Sequence, residues 1–102
     1  MDILKYLVEL VGTFLFVYVI LNVSNSNPGR EPLLGASTIC ITLLAMILVG
    51  GAISGGNFNP AVSIAKFMDG TLDVTHLTGY IIVQILGALL AFQMWKVTSK
   101  IH

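Results

Sequence analysis

Charge is scarce in this sequence. Five Lys and Arg and five Asp and Glu make up 10% of its 102 residues, against roughly 25% in a soluble domain. The two signs cancel, so the chain has no basic excess of the kind that grips phosphates, and no nucleic-acid partner is expected. Cysteine is nearly absent: one residue excludes an intrachain disulfide framework and any multi-Cys metal site. There is no nucleophile–base pair, no metal-ligand cluster and no phosphate loop. An enzyme is therefore not expected, and neither is a metal or a cofactor. What is abundant is apolar: 56% of residues are hydrophobic and mean hydropathy is +0.92. That composition rules out disorder. It describes one small integral membrane domain, too small to enclose much alone.

A membrane-spanning helix needs roughly 17–25 mostly apolar residues. Three stretches qualify: about 6–23, with Glu9 as its only charge, 33–49 without charge, and 75–97, closed by Trp95 and Lys96 at an interfacial position. Residues 24–32 (SNSNPGREP) are polar with two Pro and read as a tight aqueous loop. The first stretch is long for a leader, holds a Glu and lacks a small-x-small cleavage pattern, so it reads as a span.

The segment between the second and third spans differs. Residues 50–60 (GGAISGGNFNP) are poor helix material yet carry no charge to hold them in water. A short apolar run, 61–68, follows and is closed by Asp69-Gly70. So few residues cannot cross a bilayer, and irregular backbone at membrane depth is tolerated only inside protein or beside a water-filled cavity. Residues 50–69 therefore read as a re-entrant loop and half helix, which implies a pore or binding cavity. Pro60 suits the first helical turn and Asn59 its N-cap. The positive end of such a half helix repels cations, while the Asn59 amide offers donors to a passing oxygen. The carbonyls of Gly55, Gly56, Asn57 and Phe58 supply candidate acceptors. Taken alone, an Asn-Pro cap after a Gly-rich loop is an ordinary structural feature.

Longer motifs give it weight. Asn57-Phe58-Asn59-Pro60-Ala61-Val62-Ser63-Ile64-Ala65, preceded by Ile53-Ser54-Gly55-Gly56, resembles the signature of the major intrinsic protein family, the aquaporins and aquaglyceroporins. Glu9-Leu10-Val11-Gly12-Thr13 resembles the family's first-helix motif, and Gln84-Ile85-Leu86-Gly87-Ala88 that of its third. The resemblance implies an all-α integral membrane fold with three spans and one re-entrant half helix, half of an inverted repeat. It implies a passive channel for water or small neutral solutes such as glycerol. Asn59, Pro60 and Ala61 match the pore-centre box. Glu9 and Gln84 match buried groups that brace the loop.

The resemblance also locates differences. There is one box, of the N-terminal type, and one half cannot enclose a pore. Val62 stands where the C-terminal box usually carries Arg. The aromatic position of the filter aligns near Gly35, so neither filter position offers a charge or a ring, and a wide pore that admits glycerol is expected. Ala52 and Asn57 stand where many water channels have His. The expected partners are membrane lipid and a second half, either an antiparallel copy in a homo-oligomer or a full-length relative. Lys5 and Lys66 on one face against Arg30, Lys96 and Lys100 on the other is the feeble bias a dual-topology protein needs.

Several residues have plainer readings. Glu9 costs roughly 2.5–3.5 kcal/mol at a helix centre and less near an end. It reads as an acceptor for loop N–H groups before a proton site. His76 at a span entrance reads as interfacial rather than as a pH gate, and Cys40 as core packing. Phe14, Phe16 and Tyr18 read as packing or lipid-facing. Gly87 and Ala91, four apart, suit close helix packing. Asn22 opens a formal sequon too near the span end to matter. Two competing readings stay open. One is a small dual-topology proton-coupled transporter using Glu9, although such proteins have four unbroken spans. The other is a non-conducting assembly subunit or truncated half.

Overall fold

The computed structural model describes residues 2–26 and 31–101, and these are all helix and connecting turns. Helix α1 is Asp2–Ser24, α2 is Pro32–Ser54, α3 is Pro60–Met68 and α4 is Val74–Ser99. At about 1.5 Å per residue, the three long helices each exceed the roughly 30 Å hydrocarbon thickness of a bilayer. The nine residues of α3 reach about 14 Å, near half that thickness. The loop expected over 24–32 lies partly outside the described residues, as does Arg30.

Each helix end follows from local chemistry. Asn25 and Ser26 side chains donate to the carbonyls of Leu21 and Val23, both at 2.8 Å, satisfying the exposed end of α1. Glu31 caps α2 by accepting from the N–H groups of Leu33 and Leu34, each at 3.0 Å, with Pro32 in the first turn. Asp73 caps α4 by accepting from the His76 N–H at 2.8 Å. In the turn before it, Asp69 accepts from the Thr71 hydroxyl at 2.6 Å and from its N–H at 2.9 Å. These bonds hold the Asp69 carboxyl below the usual carboxylate range, led by the Thr71 hydroxyl. The His76 backbone N–H and then its ring do the same for Asp73.

Helix α1 is the centre of the bundle: α2 packs on one side of it and α4 on the other, while α3 packs on α4. The α1–α4 contact is backbone to backbone. A Cβ at Gly87 would stand 2.7 Å from the Leu10 carbonyl oxygen and 3.1 Å from the Phe14 nitrogen. Ala91, one turn on, is fully buried. The small pair spaced four apart therefore lets two helices touch. Farther along this seam Phe14 stacks on Tyr18 at 6.0 Å, and the Tyr18 hydroxyl lies 2.9 Å from that of Thr98.

Two sequence expectations change here. Helix α2 does not stop at residue 49 but continues through Gly50 and Gly51 to Ser54. Gly in a helix interior costs about 1 kcal/mol relative to Ala, but Gly50 is buried against α1. A Cβ there would be 2.7 Å from the Val8 side chain. The helix ends at Gly55, whose φ of 92° stops it and whose N–H donates to the Gly51 carbonyl. Cys40 is exposed rather than packed in a core, because α2 packs on α1, meets α4 only near its last residue, and turns most of its surface outward.

Candidate functional site: a buried carboxylate beneath an exposed Asn-Pro-Ala turn

Two turns into α1, a carboxylate would normally be a liability; here Glu9 is fully buried and accepts at both oxygens. Its Oε2 accepts from the Ser54 hydroxyl at 2.7 Å and the Asn57 N–H at 3.0 Å. Its Oε1 accepts from the Phe58 N–H at 2.7 Å and the Gln84 amide at 2.9 Å. Three elements and the loop thus converge on one side chain: α1 provides it, the end of α2 and the loop bind it, and α4 completes it. The four donors are neutral dipoles, and no Lys or Arg pairs with Glu9 among the described residues. Multiple hydrogen bonds are what permit a carboxyl group in such a place.

A second acceptor extends the cluster. The Ser63 hydroxyl, fully buried on α3, accepts from Asn57 Nδ2 at 2.9 Å and Gln84 Nε2 at 2.8 Å. Gln84 therefore donates to both Glu9 and Ser63 and joins the loop to the half helix. Its own Oε1 has no partner, nor do Asn57 Oδ1 and Thr13 Oγ1, among the described residues. Exchanging the amide atoms of Gln84 would set its oxygen against the Glu9 carboxylate, so donation fixes the orientation.

Phe58 locks the loop mechanically. It has a φ of 55°, the left-handed region that an aromatic residue rarely adopts. Its ring is buried against Gly12, where a Cβ would come within 2.1 Å of the ring. The unusual backbone is held by that wedge and by the N–H bond to Glu9. The ring also closes one end of an open apolar groove of about 490 Å³ between α1 and α2. That groove contains no polar member of the site.

On this base stands the start of α3. Asn59 caps it, with Oδ1 accepting from the Ala61 N–H at 2.8 Å. Asn59 and Ala61 are exposed, Pro60 is half-buried, and Val62 is 38% exposed. Asn59 Nδ2 has no partner among the described residues, and neither have the carbonyls of Gly56, Asn57 and Phe58. The Gly55 carbonyl accepts from Lys66 Nζ at 3.0 Å. So the buried side chains (Glu9, Asn57, Phe58, Gln84) form the base, and the exposed ones (Asn59, Ala61, Val62) face outward from it. Ala52 is exposed on α2.

Gly35 does not join this group. It is buried in the first turn of α2, at the opposite end from Ser54, and a Cβ there would stand 2.9 Å from the Val23 side chain. It is a helix-packing position against α1. Three residues of the cluster were not singled out from sequence: Ser54, Ser63 and Tyr80. Tyr80 is buried and donates from its hydroxyl to the Ser54 carbonyl at 2.6 Å. The available signal was polarity itself, since a hydroxyl in an apolar span must find a partner.

Residues 2–101 match the model of the family described as "Major intrinsic protein". Similar proteins include glycerol uptake facilitator protein-like 6 of Lactiplantibacillus plantarum, 40% identical over 85% of this chain and 40% of that protein. Aquaporin-8 of Mus musculus is 39% identical over 91% of this chain and 36% of that protein. Aquaporin Z of Photorhabdus laumondii is 35% identical over 85% of this chain and 40% of that protein. No solved structure matches significantly. The chain belongs to the major intrinsic protein family. It is a multi-pass integral membrane protein with the architecture of one aquaporin half. It spans less than half the length of the curated relatives it matches.

Proposed function

We propose that this chain supplies one half of a passive, non-enzymatic membrane channel for water and small neutral solutes such as glycerol, and that the pore is completed by a second half. The observation that carries this reading is the turn at Asn59. A donor amide, the positive end of α3 and three loop carbonyls without a partner among the described residues are held on a buried base centred on the four hydrogen bonds to Glu9. Such a surface presents donors and acceptors to a neutral hydroxylic molecule and opposes a cation. Asn59, Pro60, Ala61 and Val62 would border the path. Gly55, Gly56, Asn57 and Phe58 would form its loop wall. Glu9 and Gln84 would brace it. The second half would be an antiparallel copy or a full-length relative, since α3 is held by α4 and the loop while most of its residues stay exposed.

The bonding of Glu9 weighs against a proton-coupled transporter. A carboxylate already accepting from four donors would lose an acceptor contact on protonation. Val62 brings neither charge nor ring to the path, which favours a pore that admits glycerol.

The test is stopped-flow light scattering of proteoliposomes containing only this chain, shrunk with sucrose and then challenged with glycerol, beside Asn59→Asp. The expected result is water and glycerol flux above empty vesicles, altered by the substitution. Water flux with glycerol excluded would sink the uncharged-path argument. No flux from protein shown to be folded and inserted would favour a partner-dependent or non-conducting subunit.

A further inference from the structure

His76 has both ring nitrogens on carboxylates. Nδ1 lies 2.8 Å from Asp73 Oδ1, and Nε2 lies 3.2 Å from Asp2 Oδ1. Asp73 is the cap of α4, on His76's own element; Asp2 opens α1. A neutral imidazole carries one N–H and one lone pair, so only the imidazolium donates at both positions. The ring is also held by aromatics: Tyr6 stacks on it at 6.0 Å, and Tyr80 meets it edge-on at 6.3 Å and Tyr6 at 5.8 Å.

Those aromatics lead to the site. The Tyr80 hydroxyl donates to the carbonyl of Ser54, the last residue of α2 before the loop. The Ser54 hydroxyl donates to Glu9 and accepts from the Gly56 N–H. We propose that His76 is a protonation-dependent latch, which ties the start of α1 to the start of α4 and acts through Tyr6 and Tyr80 on the loop that carries Asn59.

The sign follows from the donors. Protonated His76 bonds both carboxylates. The neutral ring keeps Nδ1–H on the nearer Asp73 and turns a lone pair toward Asp2, which releases the first turn of α1. The groups around the latch are Asp2 and Tyr6 from α1 and Asp73 and Tyr80 from α4. Lys5 acts on Asp73, and Glu9 stands behind Tyr80. Helices α2 and α3 add no charge to it among the described residues. Both carboxylates are about two-thirds exposed, with side-chain accessibilities of 68% for Asp2 and 65% for Asp73, so solvent screens the latch and the effect is a modulation.

The test uses the full chain in lipid nanodiscs, with His102→Gln removing the second imidazole. Backbone order at Ile3 and the side-chain amide resonance of Asn59 are followed by NMR from about pH 5 to pH 8. Ile3 order should fall as pH rises, and the Asn59 signal should move with the same midpoint. Asp2→Asn should abolish the Ile3 response. Tyr80→Phe should keep the Ile3 response and erase that of Asn59. Ile3 order that stays flat with pH overturns the latch. An Asn59 response unchanged in Tyr80→Phe overturns the relay. The consequence for transport rests on the channel reading: flux should change roughly two- to fivefold over this range, and Asp2→Asn should remove the change. Flux insensitive to pH while Ile3 responds overturns the link to the pore. Absence of flux at every pH defeats the channel reading, and the NMR results still decide the latch.

Discussion

Around Glu9 the chain buries polar groups, whereas along α2 it exposes apolar ones. Glu9, Ser63 and Gln84 are at most 1% accessible. Leu48 and Val49 on α2 are 74% and 81% accessible. In water this arrangement would be inside out. In a bilayer it is consistent, because hydrocarbon solvates Leu and Val at no cost while every donor and acceptor must be satisfied within the protein. The polar cluster thus carries the specific fold of the loop. The outer face of α2 carries membrane solubility and little else. A third surface belongs to neither class: the exposed turn at Asn59 is polar, and hydrocarbon is a poor environment for it.

The comparison can be broken by substitution. The largest effect is expected at Glu9. Glu9→Ala strands the Ser54 hydroxyl, two loop N–H groups and the Gln84 amide, at about 1–3 kcal/mol each. A loss on the order of 4 kcal/mol or more should appear in reversible denaturant unfolding in mixed micelles; a loss below about 1 kcal/mol would mean water replaces the carboxylate. Next is Gly12→Ala, which drives a methyl into the Phe58 ring. Overpacking there should cost about 1–3 kcal/mol, and Phe58→Leu in the same chain should recover part of it. A smaller effect is expected from pH at the exposed turn. Asp69 and Asp73 are depressed in the folded state, so their contribution is present above the ordinary unfolded carboxylate range. It is lost as pH falls through the lowered folded values. Stability should therefore decline in acid, below the pH range in which His76 takes up its proton, and Asp73→Asn should flatten that decline. The smallest effect is expected on α2: Val49→Ala should change stability by no more than about 0.5 kcal/mol. A large loss there would mean that a protein surface, rather than lipid, covers this face.

Much of this was legible in the residues. Apolar runs separated by polar or glycine-rich breaks located three long helices, and Asn59-Pro60 located the start of the short one. Glu9 and Gln84 were expected as loop supports by resemblance; Glu9 accepts from the Asn57 and Phe58 N–H groups, and Gln84 donates to Glu9 and Ser63. The end of α2 was not legible. Helix propensity speaks against Gly50-Gly51, but propensity is local, and the close approach of Val8 from α1 is not. The neighbour of Gly35 was not legible for the same reason: an alignment position does not reveal that Val23 of α1 packs against it. Ser54 and Tyr80 escaped because single hydroxyls in apolar spans show a need for a partner without naming it. His76 escaped because its partner Asp2 stands at the far end of the sequence.

The central claim is that the Asn59 turn borders an aqueous path while α2 borders lipid, and cysteine accessibility tests it most directly. In a Cys40→Ser background, Val62→Cys and Val49→Cys would each be exposed to a hydrophilic thiol reagent in proteoliposomes. Both positions are accessible in the isolated chain, at 38% and 81% respectively, so exposure alone favours Val49. The account predicts that Val62→Cys reacts and Val49→Cys does not. Reaction at Val49→Cys with protection of Val62→Cys would contradict it.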